Sequence, residues 1–127
     1  MVRIVDLDEG RPFDVVGIDD AAVAFTVFAP QQGIDAADEL GIPMMAHLDR
    51  LPPARHEVLP HLRKGDILTH CYRPFPNAPI QGDGRVRAEV LEARARGVYF
   101  DIAHGGGSFA FHTAREALAH GFPPDII

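Results

Sequence analysis

The sequence predicts an α/β chain of βαβαβα order, with short apolar strands lying parallel in one sheet and helices crossing between them. Three observations carry that expectation. Apolar, β-branched runs alternate with stretches of helical composition, and Gly and Pro separate the two. The runs recur at a spacing of about 23 to 35 residues, enough for a crossover helix but far more than a hairpin needs. The chain is 127 residues long, which fits one domain.

In chain order, PheAspValValGlyIle (13–18) reads as a buried strand between Pro12 and Asp19. A helical stretch follows and ends in AspAlaAlaAspGluLeu (35–40), with Gly41 suited to its C-terminal cap. ProMetMetAlaHisLeu (43–48) is the second strand, its Pro tolerated at the first position. A helix is expected over 52–65, with Val58, Leu59 and Leu62 at helical spacing, Arg63 and Lys64 in the last turn, and Gly65 as the stop. AspIleLeuThrHisCysTyr (66–72) is the third strand. The 13 residues of 73–85 are rich in Pro, Asn and Gly and form a loop long enough to suggest function. Residues 87–97 are a strong helix closed by Gly97, and 98–103 form the fourth strand. Ser108 is expected to open a last helix running to about His120–Gly121, and 123–127 resemble the start of a further strand.

Composition narrows the function classes. The hydrophobic fraction is 46% and the charged fraction 24%, ordinary for a globular protein. Net charge is −6, with 18 Asp and Glu against 12 Lys and Arg and no basic cluster, which argues against nucleic-acid binding. Cys71 is the single cysteine, so an intrachain disulfide and a Cys-rich zinc site are both excluded. No apolar run reaches the roughly 18 residues of a membrane span. The start, MVRIVDLDEGRP, lacks the basic-then-apolar pattern of a secretion signal. A cytoplasmic protein is expected.

In parallel α/β folds, whether doubly wound sheets or (β/α)₈ barrels, sites form at the C-terminal ends of the strands. Three of the seven histidines fall there. His47 and His70 lie near the ends of the second and third strands, 23 residues apart, and His104 follows the fourth, 34 residues further on. Imidazoles gathered at one rim suit a divalent metal. The alternative is that each caps its own strand or faces solvent. His56, His61, His112 and His120 lie on helices and read as structural. Gly105, Gly106, Gly107 and Ser108 precede the last expected helix and could offer backbone N–H groups to an anion. They match neither the Walker nor the dinucleotide fingerprint, and a tight turn that lets backbone approach a substrate is the favoured reading. Asp66 reads as a turn residue, Asp101 as a locally paired strand residue and Cys71 as a small core residue.

The runs GlyIleProMetMetAlaHisLeu, GluValLeuProHisLeuArgLysGlyAspIleLeuThrHisCysTyr and ArgGlyValTyrPheAspIleAlaHisGlyGlyGlySerPheAlaPhe closely resemble the dihydroorotase-like amidohydrolase/deacetylase group of metal-dependent hydrolases. The likeness runs from about Val15 to Ile127. It implies a partial (β/α)₈ TIM-type barrel, about four to five parallel strands from the C-terminal half, in one domain over 1–127. It also implies a one- or two-zinc centre. On this resemblance His47 and His70 match the metal-binding histidines of the fifth and sixth barrel strands. His104 and Gly105 to Ser108 match a seventh-strand motif lining the substrate pocket. The implied reaction is hydrolysis of an amide C–N bond, in an N-acyl amino acid or a cyclic amide, by metal-activated water.

The chain departs from the family pattern in three ways. It has no His-x-His pair; Asp19 stands where the family carries a carboxylated lysine; and the Asp expected after the eighth strand is absent. Lys64, the only lysine, lies in the turn before a strand and cannot take the bridging role. A partial barrel also has open sheet edges and an exposed inner face, which leads us to expect self-association or a partner chain that completes it. Two readings from other classes stay open at this point. One is a non-catalytic half-barrel binding module that needs a partner. The other is a flavodoxin-like module holding an anion at GlyGlyGlySer.

Overall fold

A computed structural model of the protein describes residues 2–5, 13–18, 21–26, 30–48 and 51–127, with side chains described for 34–48 and 51–127. Among the described residues six strands form one open sheet in sequence order: β1 (Val2–Val5), β2 (Phe13–Ile18), β3 (Ala21–Thr26), β4 (Met44–Ala46), β5 (Ile67–Leu68) and β6 (Tyr99–Phe100). The sheet has two parts. β1, β2 and β3 form an antiparallel meander, with Val16 opposite both Ile4 and Val23. From β3 onward the three pairings are parallel, with Phe25, Met45, Ile67 and Tyr99 at one level and Thr26, Ala46, Leu68 and Phe100 at the next.

Among the described residues four helices carry the connections: α1 (Pro30–Leu40), α2 (Arg55–Val58), α3 (Ala88–Arg96) and α4 (Phe111–Ala119). The α/β class and the parallel crossovers are as expected, but several boundaries differ. The strand at 13–18 forms, yet it pairs antiparallel on both sides, and the parallel strand leading into α1 is β3. The helix expected over 52–65 stops at Val58 and continues only as a 3₁₀ turn, Leu59–His61. Pro60 has no N–H to donate and its ring obstructs the preceding turn, so the α-helical ladder cannot pass it. The last helix starts at Phe111 rather than Ser108, and the expected further strand is a single parallel bridge between Asp101 and Ile126.

One device returns the chain from helix to sheet three times. After α1, Gly41 N–H donates to the Asp38 carbonyl and Ile42 N–H to that of Ala37. The same pair of bonds recurs after α3 through Gly97 and Val98, and after α4 through Gly121 and Phe122. Each glycine has positive φ, between 67° and 96°, the left-handed conformation this helix terminus requires. Each is followed by an apolar residue that packs on the core, Phe122 and Val98 fully and Ile42 in part. The motif thus ends the helix and anchors the outgoing chain in one step.

The core lies between helices and sheet and includes Met44, Leu48, Leu59, Leu62, Leu68, Tyr72, Val90, Phe100 and Phe122. Two aspartates tie its edges together. Asp66, 1% exposed, accepts the Met44 N–H at 2.9 Å, the Arg63 N–H at 2.7 Å and the Arg63 side chain at 3.0 Å. It therefore links the first residues of β4 to the approach to β5, a larger role than the turn residue expected of it. Asp125 does the equivalent for β6, accepting the Phe100 N–H at 2.8 Å and Arg94 at 3.0 Å. Asp101, expected to pair locally, instead accepts the hydroxyl of Thr69, 32 positions away beside β5, at 2.6 Å.

Cys71 is buried in the core, and burial, the largest cause, pushes its thiol up to about 12. Burial likewise raises the Tyr72 phenol to about 12, and its hydroxyl donates to the Phe122 carbonyl at 2.8 Å.

Two predictions follow from these contacts. Asp66→Ala strands the Met44 and Arg63 donors, and urea unfolding should show a loss of about 2–4 kcal/mol; a loss under about 0.5 kcal/mol would refute the strand-linking role. For Cys71 and Tyr72 the unfolded chain ionises first, near pH 9 to 10, while the folded chain holds its protons to about 12. Their contribution to stability is therefore full below pH 9 and is lost as pH rises toward 12, on the order of 1 kcal/mol per pH unit for Cys71 and less for Tyr72, while Arg55, lowered to about 10, acts in the opposite sense above pH 10. Cys71→Ala should flatten that fall, and an unchanged slope would contradict the assignment.

Candidate functional site

The parallel register sets where the candidate side chains stand. Beyond Ala46 and Leu68, paired across β4 and β5, the ladder ends with Thr69 N–H donating to the Ala46 carbonyl. On the next strand Asp101 N–H donates to the Leu68 carbonyl. His47 directly follows β4, and His70 comes two residues after β5. Their rings meet edge to face, with centroids 4.5 Å apart and planes at 73°. Two residues that the sequence separates by 23 positions are thus in contact at the C-terminal ends of neighbouring parallel strands.

The backbone at this rim is held in uncommon conformations. His70 has φ of 58° and Ala103 φ of 36°, both in the left-handed region that costs a side-chain-bearing residue roughly 1–2 kcal/mol. The two are joined directly, because His70 Nδ1 lies 2.8 Å from the Ala103 carbonyl. A carbonyl only accepts, so Nδ1 carries the proton and, in the neutral ring, Nε2 keeps its lone pair. His47 is set in the same tautomer by a different partner. Arg73 Nη1 lies 3.2 Å from His47 Nε2, and a guanidinium only donates, so Nε2 is again the acceptor.

For His70 this is the arrangement that metal coordination through Nε2 uses, with the other ring nitrogen held by a fixed group; on His47 it is Nε2 itself that Arg73 engages. Two neutral imidazoles are donors of the type that a divalent ion takes, and the rings are in contact. Catalytic zinc sites draw three ligands from protein. Among the described residues, no group of three or more His, Cys, Asp or Glu comes together to hold a metal. Asp19, the candidate bridging carboxylate, lies outside the described residues.

His104 is exposed and belongs to a different cluster. Its ring stacks on Phe109 with centroids 4.5 Å apart and faces Phe111 at 6.4 Å. Of the three imidazoles expected to gather at one rim, His47 and His70 are in contact and His104 is not with them. Gly105 to Ser108 form a turn in which Ser108 N–H and Oγ–H both donate to the Gly105 carbonyl, at 3.1 and 3.2 Å. Since α4 begins only at Phe111, the glycines do not sit at a helix N-terminus, and the anion cradle considered from sequence loses its physical basis. A tight turn next to the strand end is what forms.

Lys64 lies at the other end of the strands. It lines a cleft of about 460 Å³ with Asp38, Arg63 and Asp66, on the side where β4 and β5 begin. That position agrees with its exclusion as a bridging ligand. His56 and His61 are exposed on α2 and the 3₁₀ turn; His112 is exposed on α4, and His120 Nδ1 meets the Glu116 carbonyl at 2.9 Å. None of these four joins the pair. Sequence reasoning missed Arg73 and Arg55. Arg55 is buried, bonds the Asn77 carbonyl at 2.9 Å through Nε, and is lowered to about 10 by burial. Neither arginine sits at a position that periodicity or motif spacing singles out.

The chain is similar to several known proteins. A deacetylase of Enterococcus faecalis is 41% identical over 81 residues, covering 63% of this chain and 22% of that protein. A deacetylase of Agrobacterium fabrum is 36% identical over 92 residues, covering 72% of this chain and 23% of that protein. Among solved structures, an adenine deaminase superposes with a TM-score of 0.73 at 30% identity, over 82% of this chain and 32% of that one. A dihydroorotase superposes with a TM-score of 0.64 at 34% identity, over 76% of this chain and 27% of that one. No family model matches the chain. The chain spans less than a quarter of the length of the curated relatives it matches. The sequence identities and the superpositions agree on one likeness: the chain is similar to part of the deacetylases and to part of two amidohydrolase-superfamily enzymes, an adenine deaminase and a dihydroorotase.

Proposed function

We propose that this chain forms part of a metal-dependent hydrolase site that cleaves an amide C–N bond, in an N-acyl amino acid or a cyclic amide. The observation that carries the reading is the His47–His70 pair, in contact at parallel strand ends with both rings in the Nε2-acceptor tautomer. In this reading His47 and His70 hold one divalent metal, zinc by donor type, and Asp19 is the candidate third ligand. Once bound, such an ion polarises the substrate carbonyl and lowers the pKa of water. The chain's own contribution is orientation. The Ala103 carbonyl fixes the His70 ring, while the turn at Gly105 to Ser108 brings backbone without bulky side chains to the substrate side, beside His104.

A second reading is supported by the pair of donors found among the described residues and by the share of its relatives that the chain spans. Here the chain is a half-barrel module whose site is completed by further polypeptide, either a second copy or a different partner. Its open sheet is the feature that would accept added strands.

Both readings meet one experiment on the full chain: zinc titration, hydrolysis of N-acetyl amino acids and sedimentation, repeated for His47→Ala and His70→Ala. Either substitution should weaken zinc binding about tenfold or more, because one remaining imidazole is a poor site. Hydrolysis lost in both variants supports the enzyme. Zinc binding without hydrolysis in a self-associating chain supports the module. Zinc binding indifferent to both substitutions would overturn the metal reading.

A further inference from the structure

Arg73 touches the centre of the site. It follows β5, is only 7% exposed, and reaches back to the end of β4. There Nη1 donates both to His47 Nε2, at 3.2 Å, and to the Leu48 carbonyl. We propose that Arg73 is a built-in cation of the imidazole pair. It occupies the His47 nitrogen that a divalent ion would use, and it withdraws when such an ion binds. The inference rests on the metal reading of His47 and His70.

The argument is one of exclusion. An imidazole Nε2 has a single lone pair, so it serves the guanidinium or a metal, not both. A guanidinium is a cation, and a second cation arriving at the same nitrogen is repelled at short range. Arg73 can give up His47 and keep its bond to Leu48, so the exchange does not strand the side chain. Without metal, Arg73 preserves the receptive tautomer of His47. With metal, it sets a threshold, because the ion has to displace an existing bond. Zinc affinity is then tuned by a residue that is not itself a ligand.

The test is zinc titration of the full chain against a chromophoric chelator. Arg73→Met removes the donor while keeping side-chain length. It should bind zinc at least tenfold more tightly than the wild type, and adding His47→Ala should abolish the gain. Equal or weaker binding in Arg73→Met, with His47→Ala still harmful, overturns the role of Arg73 and leaves the metal reading standing. Zinc bound by neither protein overturns both. Should Arg73→Met fail to fold, the side-chain ¹⁵N spectrum of the wild type decides. Zinc should release the guanidinium resonances of Arg73 while leaving those of Arg55, bonded to Asn77, unchanged. Unchanged Arg73 resonances in the zinc-loaded chain would contradict the proposal.

Discussion

The site depends on the parallel register of β4, β5 and β6. Because Ala46, Leu68 and Phe100 stand at one level, the residues that leave the sheet after them emerge at one rim. A shift of one residue in β5 would turn Leu68 out of the core and carry His70 away from His47. The left-handed glycines after α1, α3 and α4 protect that register from the far side. They fix where each helix stops, and the apolar residue after each glycine fixes where the next segment starts. Asp66 and Asp125 add hydrogen bonds that span neighbouring segments at those points.

Beyond the ladder the chain is strained and the strain is localised. His70 and Ala103 are the non-glycine residues with positive φ among the described residues, and the His70 ring bonds the Ala103 carbonyl. Such conformations persist only where surrounding contacts over-determine them, and they concentrate at functional sites. Here the consequence is specific. The left-handed turn at His70 directs its imidazole toward both Ala103 and His47, which an extended continuation of β5 would not do.

Much of this was legible in the sequence. The parallel crossovers follow from the spacing of apolar runs, and Gly41 and Gly97 mark helix ends where they were expected. The placement of His47 and His70 follows from two strands whose ends share a rim. Other features left no local signal. β3, AlaAlaValAlaPheThr, has the composition of helix as much as strand, and only its pairing with β2 and β4 decides between them. The antiparallel meander depends on that same pairing. Pro60 was visible but outweighed by the apolar spacing around it. Ser108 looked like a helix cap because cap residues are also turn residues, and its hydroxyl here closes a turn on Gly105. Arg73 lies in a Pro-rich loop, and nothing in the spacing shows that it folds back onto His47.

The central claim is that the fold presets both imidazoles as Nε2 acceptors before any metal arrives. The most direct measurement is a long-range ¹H–¹⁵N spectrum of the metal-free chain at a pH where the rings are neutral. It assigns the proton on each ring of His47 and His70. The account predicts a protonated Nδ1 and a bare Nε2 in both. A proton on Nε2 of either ring would contradict it.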